Sequence, residues 1–507
     1  TTNLDLVKEG GTLTVTNCCK TTYVGNYGMY AVYATTPSDL GALTHDYGMV
    51  KAYEGGILFD GKYYLATFPG TGTEADPYII RDEDDWNAFA YYVNNGHNFN
   101  GKFVKLTNNI SVTTMVGSSE NISFQGTFLG NNQTLTFTKG STEAAFSEEN
   151  CAPFRFVKDA TIQDLKVAGN IYTSRKFAVG LASRPYGTTN ITNCHVSTNI
   201  YSTVNGDGTH GGFAAMPSGT LNIAGCAYTG RLLTNSGTNN CGGFVAWHNS
   251  ATISVASSLY APSGSIAEGW TAITGGETFV RGGSPTITDC YYTEPMGTAQ
   301  GTQAYALATA PANLSDAVEN GNYGFVTAYE NGILFDGTYF VAPATVTLAD
   351  NADNSTTITG ADGYVANVTL AARTLYKDGA WNTICLPFSV TIAGSPLAGA
   401  TARPLTSASI TNEGTTLSLS FGDEVTTLVA GTPYIIKWAS GENVTETDLV
   451  FSGITIDKTD RSYDNNADGD ERVRFVGTYK STTFDDTDNS ILLMGSENTL
   501  YYPTAGA

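Results

Sequence analysis

Between about residue 150 and residue 290 the chain repeats one pattern roughly every thirty residues, and few folds accommodate such a period. Each repeat has an apolar residue, a turn, and an isoleucine followed three positions later by Leu, Cys or Ala. The isoleucines are Ile162, Ile191, Ile223, Ile253 and Ile287, with steps of 29, 32, 30 and 34 residues. Short strands at this period are typical of a β-solenoid, whose coils bury apolar side chains only by stacking on one another.

Two further series follow the same period and predict more interior columns. One series is Phe154, Leu181, Phe213, Phe244 and Phe279, and the other is Cys194, Cys226, Ala256 and Cys290. An even total of eight cysteines is compatible with disulfides. We nevertheless expect the three repeat cysteines to pack as buried thiols, because a free Cys behaves as a small apolar residue. A strained vicinal disulfide between Cys18 and Cys19 is an open alternative.

One amphipathic helix precedes the repeat. Asp82 is placed to cap it, and Trp86, Phe89, Ala90 and Val93 share one face at helical spacing. The acidic run "DEDDW" is explained by the preference of carboxylates for a helix N-terminus. We expect this helix to cover the first coil, because an open solenoid end exposes apolar residues and sheet edges.

A stretch of twenty residues occurs twice, at 47–66 and 323–342, with 14 identical positions. Each copy has Asp-Gly between alternating apolar residues, which predicts a tight β-hairpin. Upstream, "TVTNCCKTTY" at 14–23 matches "TITDCYYTEP" at 286–295. We therefore expect residues 1–67 to be the C-terminal end of a preceding solenoid module. Residues 68–343 would be a complete module with a hairpin closing its far end.

The remainder of the chain follows a different pattern. Residues 344–365 are polar and turn-rich, which predicts a linker. Residues 366–507 contain short alternating runs between Gly, Asn and Asp clusters, which predict an antiparallel β-sandwich.

The formal charge of -22 would repel a phosphate backbone, so nucleic acid is excluded as an expected partner. No apolar run approaches the roughly 20 residues that cross a bilayer, so no direct membrane span is expected.

The motifs "GTGTEADPYIIRDEDDWNAFAYYVNNGHNFNGKFVKLTNNI" and "FQGTFLGNNQTL", followed by Gly-Gly-Phe coils, resemble the GLUG-type right-handed β-helix proteins of Bacteroidetes. The later "WNTICLPFSV", "AGTPYIIKW" and "FVGTY" look like a β-sandwich module that is often appended to them. The expected fold is thus all-β: a right-handed parallel β-helix with a short capping helix, then an antiparallel β-sandwich. The resemblance implies an adhesin-like protein at the bacterial surface or outside the cell.

One corner of the repeat suggests a binding strip. Stacked coils would align Arg184-Pro185-Tyr186, Met216-Pro217 and Trp247-His248-Asn249 into a ladder of aromatic and amide groups. Sugar faces stack on aromatic rings while amides bind hydroxyls, so Arg184, Tyr186, Trp247, His248 and Asn249 are candidate glycan ligands. The alternative is that Tyr186 and Trp247 only cover the solenoid flank.

The segment "YDNNADGDE" at 463–471 matches the first half of a calcium loop. Asp464, Asn466 and Asp468 fall at ligand positions with Asp470 beside them, but Phe475 occupies the position of the bidentate carboxylate. The pattern favours a solvated hairpin loop, and calcium remains the alternative. No other cofactor is predicted.

The carboxylates Asp164, Asp207 and Asp289 do not recur at one coil position, so no catalytic residue is predicted. The first functional hypothesis is therefore a non-enzymatic adhesin that binds a glycan or a host surface protein. The second is a stalk or fibre subunit whose copies join end to end, and the third is a polysaccharide lyase or hydrolase.

Overall fold

The computed structural model of the protein describes residues 42–53, 56–65, 70–411, 416–445, 449–484, 488–495 and 498–504. The chain divides into two compact units: one runs up to Gln303 and includes Asp316–Phe340, and the other comprises Ala304–Ser315 and the chain from Val341 onward. Cys18, Cys19 and the segment 14–23 lie outside the described residues.

The first unit is a β-solenoid of about five turns, with three parallel faces. Sheet A comprises Tyr78–Ile80, Phe103–Leu106, Thr127–Leu129, Thr161–Gln163, Ala182–Thr192, Ser218–Ala224, Thr252–Ala256 and Thr286–Thr288. A ninth strand, Phe154–Lys158, pairs with the first half of Ala182–Thr192. Sheet B comprises Ile110–Val112, Thr134–Phe137, Lys166–Ala168, His195–Val196, Ala227–Tyr228, Leu259–Tyr260, Tyr291–Tyr292 and Thr302–Gln303. Sheet C comprises Asn170–Thr173, Asn199–Ser202, Leu232–Thr234 and the antiparallel Thr271–Ala272. Two short parallel pairs join Gly206–Asp207 to Thr238–Asn239 and Cys241–Gly242 to Gly276–Glu277.

The isoleucine column exists, but one of its predicted members is wrong. Parallel pairing aligns Ile162, Ile191, Ile223, Val255 and Ile287 on successive coils. Ile253 pairs instead with Leu221, two residues earlier in the strand. Both Ile253 and Val255 point inward because strand side chains alternate with a period of two, so the sequence pattern alone does not separate them.

The two-residue offset between Ile253 and Val255 also changes the predicted thiol column. The residue aligned with Cys194, Cys226 and Cys290 is Ser258, whose Oγ accepts the N–H of Cys226 at 3.2 Å, and not Ala256. The three cysteines are buried free thiols as predicted.

The aromatic column is continuous over three coils. The ring of Phe244 lies 4.7 Å from that of Phe213 and 4.9 Å from that of Phe279, centroid to centroid. Phe154 was also predicted in this column, but it aligns with Ala182, one residue beyond Leu181. Its ring instead contacts Trp86 at 5.5 Å.

Helix α1, Glu83–Asn94, confirms the predicted cap and apolar face. The Asp82 side chain accepts the N–H of Asp85, and Trp86, Phe89, Ala90 and Val93 are fully buried. Trp86 donates its indole N–H to the carbonyl of Thr114 at 2.9 Å. The helix therefore covers the first coil.

The far end of the solenoid is closed differently from the prediction. At this end Gln300 covers part of the last coil, where its Oε1 accepts the N–H groups of Phe279 and Val280 at 2.9 and 2.7 Å. The second hairpin, expected to close this end, lies along the flank, where Phe335 contacts the ring of His195. Its strands are Ala317–Asn322, Val326–Tyr329, Gly332–Phe335 and Thr338–Val341. The first hairpin has strands Leu43–Asp46, Val50–Tyr53, Gly56–Phe59 and Lys62–Leu65.

The second unit is built mainly from antiparallel sheets. One sheet contains Ala344–Ala349, Val365–Ala371 and Val450–Thr455, and another contains Asn382–Ile384, Tyr434–Lys437, Thr401–Thr411 and Thr416–Phe421. The smaller strands are Tyr305–Leu307, Val390–Thr391, Thr427–Leu428, Tyr463–Asp464, Arg474–Phe475, Leu493–Met494 and Leu500–Tyr501. Both larger sheets contribute to one apolar core, which includes Val368 and Ile436.

The segment 344–365 is not a linker. It contains the strand Ala344–Ala349, which pairs in parallel with Val365–Ala371, and helix α2, Ser355–Gly360. Val346, Leu348 and Ile358 are buried in the core of the second unit. The polar turn residues that suggested a linker form the short connections between these elements.

Candidate ligand-binding surface of the solenoid

Three predicted residues follow one another along a corner of the solenoid. Ala182, Ala214 and Val245 are bridged in register on consecutive coils, and two positions further along stand Arg184, Met216 and Trp247. The N–H of Met216 bonds to the carbonyl of Ser183, and that of Trp247 to the carbonyl of Ala215. Neighbouring strands are about 4.8 Å apart, so this corner column of Arg184, Met216 and Trp247 spans about 10 Å.

The column has an exposed aromatic ring at one end and a half-buried cation at the other. Trp247 is 41% exposed. The Arg184 guanidinium carbon lies 5.6 Å from the ring centre of Phe177 and 5.8 Å from that of Tyr186, and one of its Nη atoms donates to the Tyr186 hydroxyl at 3.2 Å. Two rings therefore hold the guanidinium in place by cation–π attraction.

The other predicted ligands have structural contacts. The His248 ring lies against Gly283, where a Cβ atom would be only 2.3 Å from it. Asn249 donates from Nδ2 to the carbonyl of Pro217 at 3.3 Å. Tyr186 aligns with Lys158 and Ser218, so the structure does not bring it together with Trp247 as an aromatic ladder.

A second aromatic cluster was missed by the sequence reasoning. The rings of Tyr172 and Tyr201 stack with centroids 4.5 Å apart at an interplanar angle of 10°, and Trp270 lies 5.0 Å from Tyr201 and 6.4 Å from Tyr172. These distances form a triangle with a nearly right angle at Tyr201, so the indole stands beside the stack. Its plane is tilted 80° from that of Tyr201, and at 5.0 Å the tyrosine edge points into one indole face.

The loop that carries Trp270 is fixed at its start by Arg231. The guanidinium donates to the carbonyls of Pro262, Ser263 and Gly264, and Nη1 lies 3.0 Å from a carboxylate oxygen of Glu294. The only sequence signal for the cluster was the 29-residue offset between Tyr172 and Tyr201, which equals the step from Ile162 to Ile191.

The proposed calcium ligands form a hairpin loop between Tyr463–Asp464 and Arg474–Phe475. The carboxylate of Asp464 is paired with Arg472 and Arg474, and the hydrogen bond from Arg472 lowers the pKa of Asp464. Asn466 donates its backbone N–H to Asp464, the backbone of Asp468 precedes a single 3-10 turn, and the side chain of Asp470 is not described. Within the described residues, no three His, Cys, Asp or Glu side chains are placed to hold a metal ion.

A buried serine and histidine pair has no catalytic geometry. His210 Nδ1 accepts the N–H of Ala178 at 3.2 Å, so the ring proton is on Nε2, which lies 2.9 Å from Ser202 Oγ. The histidine therefore donates to Ser202 and has no nitrogen free to accept the serine proton. Burial lowers the pKa of His210 to about 4.

Two of the three solenoid carboxylates considered above, Asp164 and Asp207, have structural partners. Asp164 accepts from Asn193 at 2.6 Å, and Asp207 pairs with Lys176 at 2.7 Å. Two shallow clefts of about 310 and 260 Å³ are lined by Lys105, Leu129 and Gln163 on sheet A, and by Thr229, Pro262 and Phe335 beside the second hairpin.

Together these features define a β-solenoid protein with aromatic groups on its outer surface. No protein-family model and no curated protein matches the chain. Among solved structures, a candidate immunoglobulin A1 protease from Bacteroides ovatus is similar at 14% identity and a TM-score of 0.24, over 46% of this chain and 84% of the other. Neither α-helix in the described ranges has the length and apolarity needed to cross a bilayer.

Proposed function

We propose that the protein is a non-enzymatic binding module of a bacterial surface or secreted protein, and that it binds a glycan or a glycosylated host surface protein. The GLUG-type resemblance and the location outside the cell belong to this proposal. The observation that carries it is the corner column, in which an exposed indole and a fixed guanidinium are two coils apart on a rigid scaffold.

The chemistry of the column suits a sugar chain. One pyranose face stacks on the exposed ring of Trp247, because its C–H groups match the electron-rich face of an indole. The Arg184 guanidinium, two strands away, binds hydroxyl or carboxylate oxygens of a neighbouring sugar. A solenoid holds both groups at a fixed spacing, which reduces the entropy lost on binding.

The proposal is tested by glycan-array binding and by titration with the oligosaccharides that bind. A sugar face that covers about 60 Å² of the indole contributes about 1.5 kcal/mol. We therefore expect Trp247→Ala to weaken binding about tenfold. The melting temperature should change little, because the side chain is largely exposed.

Tyr376→Ala is the matched control, since Tyr376 is 52% exposed in the second unit and belongs to neither aromatic group. If no glycan or host protein binds, or if Tyr376→Ala and Trp247→Ala weaken binding equally, the proposal is wrong. Trp270→Ala, tested alongside, shows whether the second aromatic cluster contributes.

A stalk or fibre subunit is the second candidate function. The duplicated hairpin favours it, because a repeated element is expected where modules follow one another along a chain.

A further inference from the structure

The two hairpins fold alike. Val50 pairs with Phe59 and Ala52 with Ile57 in the first copy, and the equivalent Val326 pairs with Phe335 and Ala328 with Ile333 in the second. Both turns have Asp and Gly at positive φ, with values of 50° and 70° in the first copy and 48° and 74° in the second. The shared residues therefore give the same turn and the same pairing of the two adjoining strands in both copies.

The second hairpin is seated on the outer flank of sheet B. The N–H of Phe325 donates to Asn193 Oδ1 at 2.7 Å, and the ring of Phe335 meets the His195 ring edge-to-face at 4.9 Å. The ring of Tyr323 lies against Gly225, where a Cβ atom would be only 2.1 Å from it. We call Tyr323, Phe325 and Phe335 the seating residues.

The same positions in the first hairpin are bare. Tyr47, Met49 and Phe59 are equivalent to the seating residues and are 71%, 80% and 41% exposed, whereas the seating residues themselves are half-buried. A Cβ atom at Gly324 would meet Asn193, but one at the equivalent Gly48 would meet no atom of the described part of the chain within 4 Å. One fold thus has its apolar face covered in one copy and exposed in the other.

We propose that the first hairpin, residues 43–65, is a docking element that seats on the flank of a neighbouring β-solenoid module built like this one. Such a flank presents an asparagine amide oxygen for the N–H of Met49, a glycine that admits the ring of Tyr47, and a ring to meet Phe59. Tyr and Phe are kept at two of the three positions. At the third, Met49 replaces Phe325, and a thioether side chain fills irregular apolar gaps well.

The partner does not need an equivalent of every flank residue. Lys166 lies 5.1 Å from the ring centre of Phe325, but Met49 offers no ring for such a cation. The seat is defined by the Asn193, His195 and Gly225 equivalents. This inference does not rest on the proposed glycan binding, and either can fail without the other.

The chain can supply its own test partner. In the full chain, residues 323–342 are replaced by a flexible Gly/Ser segment of equal length, which vacates the flank. We expect the first hairpin to occupy it, either from a second molecule, giving a dimer by light scattering, or from the same molecule. In both cases hydrogen exchange at Met49 becomes slow, because its N–H then donates to Asn193 Oδ1 as the N–H of Phe325 does in the seated hairpin.

Substituting Met49→Asp and Phe59→Asp in this vacated chain should give a monomer in which exchange at position 49 is as fast as in the unaltered chain. Leu43→Glu is the matched control, because Leu43 is also exposed but is equivalent to Glu319, outside the seat. Slow exchange at the interior residues 244–256 verifies in each variant that the solenoid is folded.

A vacated chain that is monomeric and exchanges the Met49 amide as fast as the unaltered chain overturns the proposal, as does a dimer that survives the two Asp substitutions. A second variant keeps the test decisive if the vacated chain unfolds. Placing the sequence of 47–66 at 323–342 should leave that hairpin seated, with slow exchange kept at the backbone amide of position 325, and loss of protection at that amide would also overturn the proposal.

Discussion

Replacing His210 by Gln should remove a defined part of the pH dependence of solenoid stability. His210 is fully buried, accepts from Ala178, and lies 2.9 Å from Ser202 Oγ. Burial lowers its pKa to about 4, against an ordinary value of 6.5. The folded state therefore holds this ring neutral over a pH range in which the unfolded chain protonates it.

The sign follows from proton binding. Between pH 6.5 and about 4 the unfolded state binds the extra proton, so stability falls as the pH falls. The slope is about 1.4 kcal/mol per pH unit, so the lowered pKa corresponds to about 3 kcal/mol over the whole pH range. Above pH 6.5 the effect is absent, and below about 4 it is complete.

Gln at position 210 is the matched replacement, because its amide can accept from Ala178 and donate to Ser202 without titrating. Urea unfolding at several pH values between 4.5 and 7.5 should be followed by hydrogen exchange in peptides of the solenoid. The wild-type curve should become steeper than the variant curve by about 1.4 kcal/mol per pH unit below pH 6.

The titration of His195 and Asp207 does not affect the comparison between wild type and His210→Gln. Burial also lowers the pKa of His195 to about 4, but that residue is present in both proteins. The carboxylate of Asp207, which faces His210, has a lowered pKa through its bonds to Lys176 and Thr209, so it titrates below the tested range. Parallel pH curves for His210→Gln and wild type would refute the reasoning.

Three further predictions concern the solenoid. Phe244→Ala should reduce the free energy of unfolding by about 3–5 kcal/mol in urea titrations, because it leaves a cavity between two stacked rings. Asp82→Ala should cost about 1 kcal/mol and speed hydrogen exchange in the first turn of α1, since Asp85 loses its cap. Gln300→Ala should leave the N–H groups of Phe279 and Val280 without their acceptor, which hydrogen exchange detects as faster exchange confined to the last coil.

Local signals in the sequence predicted the solenoid and its helix. The cap at Asp82 and the spacing of Trp86, Phe89 and Val93 depend only on neighbouring residues, and α1 forms there. The coil period was also readable, because stacking requires an apolar residue at the same place in every coil. The register within a coil could not be predicted from the sequence. Ile253 and Val255 both face inward, and only the pairing with the previous coil shows which of them lies in the isoleucine column.

Non-local pairing explains the errors elsewhere. Val346 and Leu348 alternate like strand residues, but their partner strand begins at Val365, beyond a helix in a polar segment. The position of the second hairpin depends on contacts with Asn193 and His195, about 130 residues earlier, which no local pattern encodes.

The residues of the candidate surface also differ in how well the sequence predicted them. Arg184, Met216 and Trp247 align because each continues a bridged strand, so the coil period was sufficient to place them. Trp270 reaches the Tyr172–Tyr201 stack only because the chain reverses at Thr271–Ala272, which pairs antiparallel in an otherwise parallel sheet. A repeat pattern predicts how one coil stacks on the next, but it does not predict segments that depart from the regular coil.

The two hairpins show the difference between what neighbouring residues determine and what distant contacts determine. Fourteen shared residues give both copies the same turn and the same pairing of the two strands beside it, so this part of the hairpin is determined locally. Burial is not determined locally, because Tyr323 is half-covered by the solenoid while its equivalent Tyr47 is 71% exposed. Exposed aromatic and apolar groups on a regularly paired sheet face are typical of interaction surfaces, and the docking proposal for residues 43–65 rests on this contrast.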